Sequence, residues 1–379
     1  MRIRQVSRRE KSSMARTTNR ATSFDVAALA GVSQSAVSRA FTPGSSIAEE
    51  TRQKVLEAAR KLAYVPNSIA SSLTTKRSNI VALILGDMNN PFYVHTLHAF
   101  SRRLQEQGRQ VLIFTVDRGA ESDEAIMHLL AYQVDGVILT AAQLSTRMTS
   151  MCHERGIPIV LFNRYIPGSD ASGVRCDNAA GGRLIAEAFL AAGAKSFAML
   201  TGDPKGTTSA DRVRGFVDRL LEDGIKRSDI VSVEGNSSYD AAFNATLSLM
   251  SDKNRSRPDA LFGINDIMAM GALDALKYRL GLRVPEDLMV AGFDDIPEGR
   301  RAPYQLTTVR QPINRMVEEA LTMLHLDEPD MPIERGIDRP IVGKLIWRNT
   351  IPVPAAYRWP DDLRGSSSDD KGGSESEPQ

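Results

Sequence analysis

Four side chains in one short stretch of this chain, Gln34, Ser35, Ser38 and Arg39, carry the donors and acceptors that read base edges in a DNA major groove. If the stretch is helical, all four lie opposite Val37 and Phe41, which are four apart on an inward face. The surrounding residues, TSFDVAALAGVSQSAVSRAF, predict that geometry. Thr22 followed by Asp25 makes a capping-box-like start for a first helix, whose small apolar face is Val26, Ala27 and Ala30. Gly31 can take the positive φ that turns the chain sharply, and Ser33 caps the second helix. Such a helix-turn-helix docks its second helix in the groove, N-terminal residues first. Taken alone, the stretch also reads as a plain helical hairpin with a solvated polar face.

A second set of chemistry-bearing residues recurs after apolar runs in the rest of the chain. These are residues 87–93, Asn163 and Arg164, residues 202–212, Asn265 and Asp266, and Asp294 and Asp295. The runs NIVALILG, QVLIFTV, DGVILTA, GIPIVLFN, FAMLTGD, ALFGIND and LMVAGFDD alternate with helical stretches, as buried parallel strands in βαβ units do. In doubly wound sheets, ligands bind beyond the C-terminal ends of the strands, where these polar residues fall.

Other signals carry less. TGDPKGTTSA lacks the order of a Walker A phosphate loop. No G-x-G-x-x-G follows a strand. His95 and His98 share a helix face but have no third ligand nearby, so no metal site is expected. Asp294 and Asp295 are adjacent, so their side chains should diverge rather than act as an acid/base pair. The sequence offers no catalytic constellation and implies no cofactor.

Charge separates the chain in two. Residues 1–77 carry +9 and the remainder −8, although the whole is only +1. A basic head on an acidic body is the footprint of a nucleic-acid-binding module attached to something else. Two cysteines in 379 residues fit a reducing compartment. The apolar runs are too short to span a bilayer, and the basic N-terminus has no apolar h-region. A cytoplasmic protein without a membrane role is expected.

The elements that position these residues can be laid out in order. Residues 1–21 read as a disordered basic arm. Residues 22–65 form the DNA-binding head, closed by a third helix over 49–63 with Val55, Leu56, Ala59 and Leu62 inside. Residues 66–77 are a linker with a helix of about two turns, too short to be stable alone. Residues 78–360 form the α/β core, and residues 361–379 an acidic Gly/Ser-rich disordered tail.

In that order the pieces resemble the lactose/purine repressor (LacI/GalR-type) family of bacterial transcription regulators over residues 22–357. The resemblance rests on FDVAALAGVSQSAVSRAF, ETRQKVLEAARKLAYVPNSIASSL, NNPFY, GIPIVLFNR, INDIMAMGALDAL, VPEDLMVAGFDD and LTTVRQP. It implies a three-helix helix-turn-helix head on a periplasmic-binding-protein-like core of two doubly wound parallel-sheet subdomains. The boundaries expected are 78–176 with 308–340, and 177–307 with 341–357. It implies a homodimeric regulator, a repressor, bound to a pseudopalindromic double-stranded operator and controlled by a small-molecule effector, a carbohydrate or derivative. DNA-contacting positions carried over are Thr22, Ser33, Gln34, Ser35, Ala36, Ser38 and Arg39 in the head, with Asn67, Ala70 and Leu73 in the linker. There Leu73 takes the place of the family's leucine wedge. Effector positions carried over are Phe92, Tyr93, Asn163, Thr208, Arg212, Asn265, Asp294 and Gln311, a polyol-type set of amides, carboxylate, guanidinium and aromatics. Arg212 could alternatively pair with a ligand carboxylate or phosphate.

The sequence also departs from the family. Where many relatives stack an aromatic on the ligand, this chain has Ser237, which leaves Tyr239 to substitute. Gln34, Ser35 and Ala36 replace the common Lys-Ala-Thr, so the operator is its own. No leucine heptad follows residue 350, so the lactose repressor's tetramer-forming tail is missing. Two other classes fit less well: a sugar-binding protein without a DNA role, which leaves the basic head unexplained, and an α/β enzyme, which lacks its catalytic groups.

Overall fold

The structure is a computed structural model. It describes residues 21–353 apart from 43, 67–76, 87, 117–122, 141–144, 205, 255 and 329–330. The arm at 1–20, the linker positions Asn67, Ala70 and Leu73, and the tail at 361–379 lie outside the described residues. The chain divides into two units, residues 1–78 and 79–379.

The first unit is the three-helix head: α1 (Ser23–Ala30), α2 (Gln34–Phe41) and α3 (Glu49–Lys61). Its local devices follow the side chains. Thr22 accepts from the Asp25 N–H, and Asp25 accepts from the Thr22 backbone at 2.8 Å. Gly31 has φ +69, which turns the chain out of α1. Ser33 accepts from the Ala36 N–H at 3.2 Å, which starts α2. Val26, Ala27, Val37, Ala40, Val55, Ala58 and Ala59 fill the core, and Phe41 meets Tyr64 edge-on at 5.9 Å. α3 ends two residues before the expected position because Ala63 takes φ +47, and Ala58 rather than Leu56 is the fully buried member of its stripe. Arg52 donates to the Ala40 carbonyl at 2.7 Å and so ties α3 to the end of α2.

The second unit holds two six-stranded sheets. The first has the order β11-β5-β4-β3-β1-β2 and is parallel throughout. Its strands are β1 (Ile80–Leu85), β2 (Gln110–Thr115), β3 (Gly136–Leu139), β4 (Ile159–Phe162), β5 (Ser172–Cys176) and β11 (Asp338–Ile341). The second has the order β12-β10-β9-β8-β6-β7, with only β12 antiparallel. Its strands are β6 (Phe197–Thr201), β7 (Ile230–Glu234), β8 (Ala260–Gly263), β9 (Met289–Asp294), β10 (Thr307–Arg310) and β12 (Lys344–Ile346). β1, β3, β4, β8 and β9 are almost wholly buried, which is why they read as unbroken apolar runs.

One boundary moves. Assigning 308–340 to the first subdomain put Thr308 in the wrong sheet. β10 pairs in parallel with β9, so the return crossing falls after Arg310. The chain thus passes between the sheets three times: between β5 and α7 (Asn178–Ala191), between β10 and β11, and between β11 and β12.

Two glycines fix the second subdomain around the site. α7 and α8 (Thr207–Glu222) approach so closely that a Cβ on Gly182 would stand 2.2 Å from the Arg212 carbonyl oxygen. A Cβ on Gly215 would stand 2.0 Å from the Ala179 carbonyl oxygen. Only glycine permits this backbone contact, and it sets where α8 carries Arg212.

Candidate DNA-reading face and effector cleft

On the head, Thr22, Ser33, Gln34, Ser35, Ser38 and Arg39 are exposed. Gln34 donates to the Ser23 hydroxyl at 3.0 Å, and Ser33 and Ser35 share a hydroxyl contact at 2.9 Å. Arg39 Nε reaches the Ser35 carbonyl at 3.4 Å, so the guanidinium lies along the outer face of α2. Ala36 differs from the others. Its side chain is buried, because the third helix residue after the cap rotates toward the head core. The structure does not bring Ala36 to the face that the other six share.

In the core, the strand-end residues converge. Phe92 and Tyr93 open α4 (Pro91–Glu106), where Asn90 accepts from the Phe92 N–H at 3.0 Å; the two rings meet edge-on at 5.4 Å. Asn163 follows β4 with φ +62, a conformation asparagine tolerates better than most residues. Its carbonyl accepts from the Thr208 hydroxyl at 2.8 Å, and the Tyr165 carbonyl from Thr207 at 3.2 Å. The start of α8, in the second subdomain, is therefore fastened to the end of β4 in the first.

Arg212 is the centre of the arrangement. Its side chain is 4% exposed and each of its nitrogens has a partner inside the protein. Nε donates to Asn178 Oδ1 at 2.9 Å, Nη1 to the Ile264 carbonyl at 2.7 Å, and Nη2 meets Asp294 Oδ1 at 3.1 Å. The guanidinium lies 3.7 Å over the Phe293 ring. Gln311 donates to the same Asp294 oxygen at 2.7 Å. Asn265 spends its side-chain oxygen on the Met268 N–H at 2.9 Å, capping α10 (Asp266–Asp274).

What remains unused defines the chemistry. Asn163 Oδ1 and Gln311 Oε1 are buried and have no hydrogen-bond partner among the described residues. Buried acceptors in that state carry a desolvation penalty of about 1–3 kcal/mol each, which a donating ligand removes. Phe92, Asp294 and Gln311 also border a cavity of about 680 Å³ that runs along α4 and past Ile313. The cavity does not touch Asn163, Thr208, Arg212 or Asn265.

The structure reassigns some residues and adds others. Tyr239 has its hydroxyl held by Asp274 at 2.5 Å, and the same carboxylate takes the Tyr304 hydroxyl at 3.0 Å. Ser237 packs against Gly202. Asp295 turns away from Asp294 and takes Arg300, Arg310 and Arg348, at 3.0, 2.6 and 2.5 Å. Asn178, which orients Arg212, is not among the residues that the sequence singles out; its place at the start of α7, two residues past β5, is the available signal. Arg164, noted there only as a strand-end residue, is largely buried, with burial lowering its pKa against the opposing charges of Tyr93 and Asp203.

Asp266 lies behind Asp294, fully buried, accepting from the Ile296 N–H at 2.8 Å and the Thr308 hydroxyl at 2.5 Å. Burial pushes its carboxyl up to about 8, and the charge of Asp294 adds to the shift. Between the ordinary value of 3.8 and about 8, the native state therefore holds a proton that the unfolded chain releases. Stability must fall as pH rises through that window. Asp266→Asn, whose amide mimics the protonated acid, should flatten the slope. Urea unfolding at pH 5 and pH 8 checks this; parallel losses in wild type and variant would count against a protonated Asp266.

The geometry defines a helix-turn-helix head on a two-subdomain binding core. The family of bacterial regulatory proteins named for lacI matches residues 24–67, and a periplasmic binding protein-like domain matches residues 186–351. The chain is 33% identical to the HTH-type transcriptional regulator DegA of Bacillus subtilis, over 79% of this chain and 88% of that protein. It is 31% identical to CelR of Thermobifida fusca, over 79% and 89%. A lac repressor dimer bound to operator and the anti-inducer ONPF superposes with a TM-score of 0.77 at 26% identity, over 87% and 98% of the two chains. A CelR–cellobiose complex superposes at 0.63 and 29%, over 87% and 100%. The chain belongs to the LacI family of transcriptional regulators.

Proposed function

We propose that this regulator is a cytoplasmic repressor and not an enzyme. It acts as a homodimer that reads a pseudopalindromic operator through Gln34, Ser35, Ser38 and Arg39 and releases it in response to a neutral polyhydroxy compound of the sugar class. The observation that carries the effector reading is the commitment of Arg212. Its charge is matched by Asp294 and its nitrogens are spent on Asn178, Ile264 and Asp294. What the strand ends leave unpaired instead are the buried acceptors Asn163 Oδ1 and Gln311 Oε1, of which Gln311 also borders the cavity. Hydroxyl hydrogens satisfy acceptors, whereas a phosphate or carboxylate brings more acceptors. The complex of CelR with cellobiose supports the same class. The divergence of Asp294 and Asp295 to separate arginines supports a binding role for the cleft rather than a catalytic one.

The test is a thermal-shift screen of neutral sugars and their phosphates, followed by gel shifts on a duplex selected from a random library. A sugar at one hundred times its Kd should add about 2.7 kcal/mol of stability and release the duplex. Binding of phosphates in preference to neutral sugars would overturn the effector class, and failure to select any duplex would overturn the DNA reading.

A further inference from the structure

One helix joins the cleft to the place where the linker enters the core. Gln311 is followed directly by α11 (Ile313–Met323), which buries Met316, Val317, Ala320 and Leu321 and packs on β4, β5 and α4. Eleven residues carry the chain about 16 Å away from Gln311. Beyond the helix, Leu324 and Leu326 press on the start of β3: a Cβ on Gly136 would stand 3.1 and 3.3 Å from their methyl groups. Asp327 then accepts from Arg109 Nη2 at 2.6 Å.

Arg109 is 3% exposed and sits in the turn before β2. Its Nη1 lies 3.6 Å from Asp135 Oδ2, and that oxygen accepts the backbone N–H of Asn79 at 2.9 Å. Asn79 is the first residue of the core, with φ +56, and its carbonyl accepts from Gln110 at 2.7 Å. Its backbone is therefore held on both sides at the point where the chain arrives from the head. Nε and Nη1 of Arg109 have no hydrogen-bond partner among the described residues. A buried guanidinium satisfied so incompletely is destabilising compared with an apolar side chain of the same shape. Packing alone does not account for it.

We propose that Arg109 is a positioning residue that ties the far end of the cleft helix, through Asp327 and Asp135, to the backbone of Asn79. A ligand that engages Gln311 then shifts α11, and the shift reaches the linker root through this clamp. The second statement rests on the cleft being the effector site; the clamp itself does not.

Amide hydrogen exchange on the full chain tests it without DNA or ligand, so its failure would leave the regulatory reading standing. Arg109→Met and Asp327→Asn should each speed exchange at Asn79 by about tenfold, as expected for the loss of one charge-supported hydrogen bond. The amides of β1 and β3 should be unchanged, and Arg109→Lys should restore most of the protection. Gln311→Ala should speed exchange at Asn79 severalfold in the wild-type background and add nothing in the Arg109→Met background. Unchanged exchange at Asn79 in both Arg109→Met and Asp327→Asn, or a rise shared across β1, would reduce Arg109 to a packing role. Additive effects of Gln311→Ala and Arg109→Met would show that the helix does not act through it.

Discussion

Arg212→Ala should lower the unfolding free energy of the core by about 3–5 kcal/mol and abolish effector binding in the fraction that stays folded. The reasoning starts from the pair. Asp294 is 3% exposed at its side chain, and Arg212 is the cation that neutralises it. Burial already raises the Asp294 carboxyl, and the guanidinium opposes that shift. Without the arginine, Asp294 must either stay charged and unpaired or take up a proton. Asn178 Oδ1 and the Ile264 carbonyl lose their donors at the same time. Arg212→Lys should recover little, because an ammonium cannot reach three partners in one plane while lying on Phe293. The double replacement Arg212→Met with Asp294→Leu should be closer to wild type in stability than either single change, since it removes both buried charges. Urea unfolding of the wild type, Arg212→Ala, Arg212→Lys, Arg212→Met, Asp294→Leu and the double replacement measures this. If Arg212→Ala unfolds at the wild-type midpoint, the pair is not buried in solution as it is here.

Arg39→Ala should weaken specific operator binding by about 1–3 kcal/mol while leaving non-specific binding nearly unchanged. Arg39 is exposed, and the bond from its side chain to the Ser35 carbonyl, at 3.4 Å, is weak enough to exchange for a base edge. Its neighbours Val37 and Ala40 are buried, so the helix that presents it is anchored and the substitution leaves the head folded. Competition gel shifts with selected and random duplexes separate the two effects. A parallel fall in both affinities would make Arg39 a phosphate contact.

The head was almost wholly legible because its devices are local. The Thr22–Asp25 box, the positive φ at Gly31 and the Ser33 cap each involve residues at most three apart. Ala36, carried over with the resemblance, is buried beside Val37 and Ala40, which the resemblance alone did not indicate. The strand rhythm of the core was legible because buried parallel strands stay apolar throughout. Which sheet received β10 was not, since TTVR reads as a strand beside either neighbour and only its pairing with β9 decides. In the cleft, the residue types were readable but their commitments were not. The bonds that occupy Arg212 come from residues 34, 52 and 82 positions away, and no local pattern announces such partners. The bond from the Tyr239 hydroxyl to Asp274, 35 positions away, is equally invisible to local pattern.

The three crossings between the sheets matter also while the chain is being made. A nascent chain emerging from the ribosome completes the head first, because all three helices lie within the first 61 residues. The first sheet cannot close in turn. Its edge strand β11 pairs with β5 but is translated after nearly all of the second sheet. Until then β5 presents an unpaired edge, the kind of surface that recruits stray strands. A truncated product ending before Asp338 would therefore combine a finished DNA-reading head with an adhesive, unregulated body. Synthesis of this regulator thus passes through an interval in which the edge of β5 has no strand of its own chain to cover it.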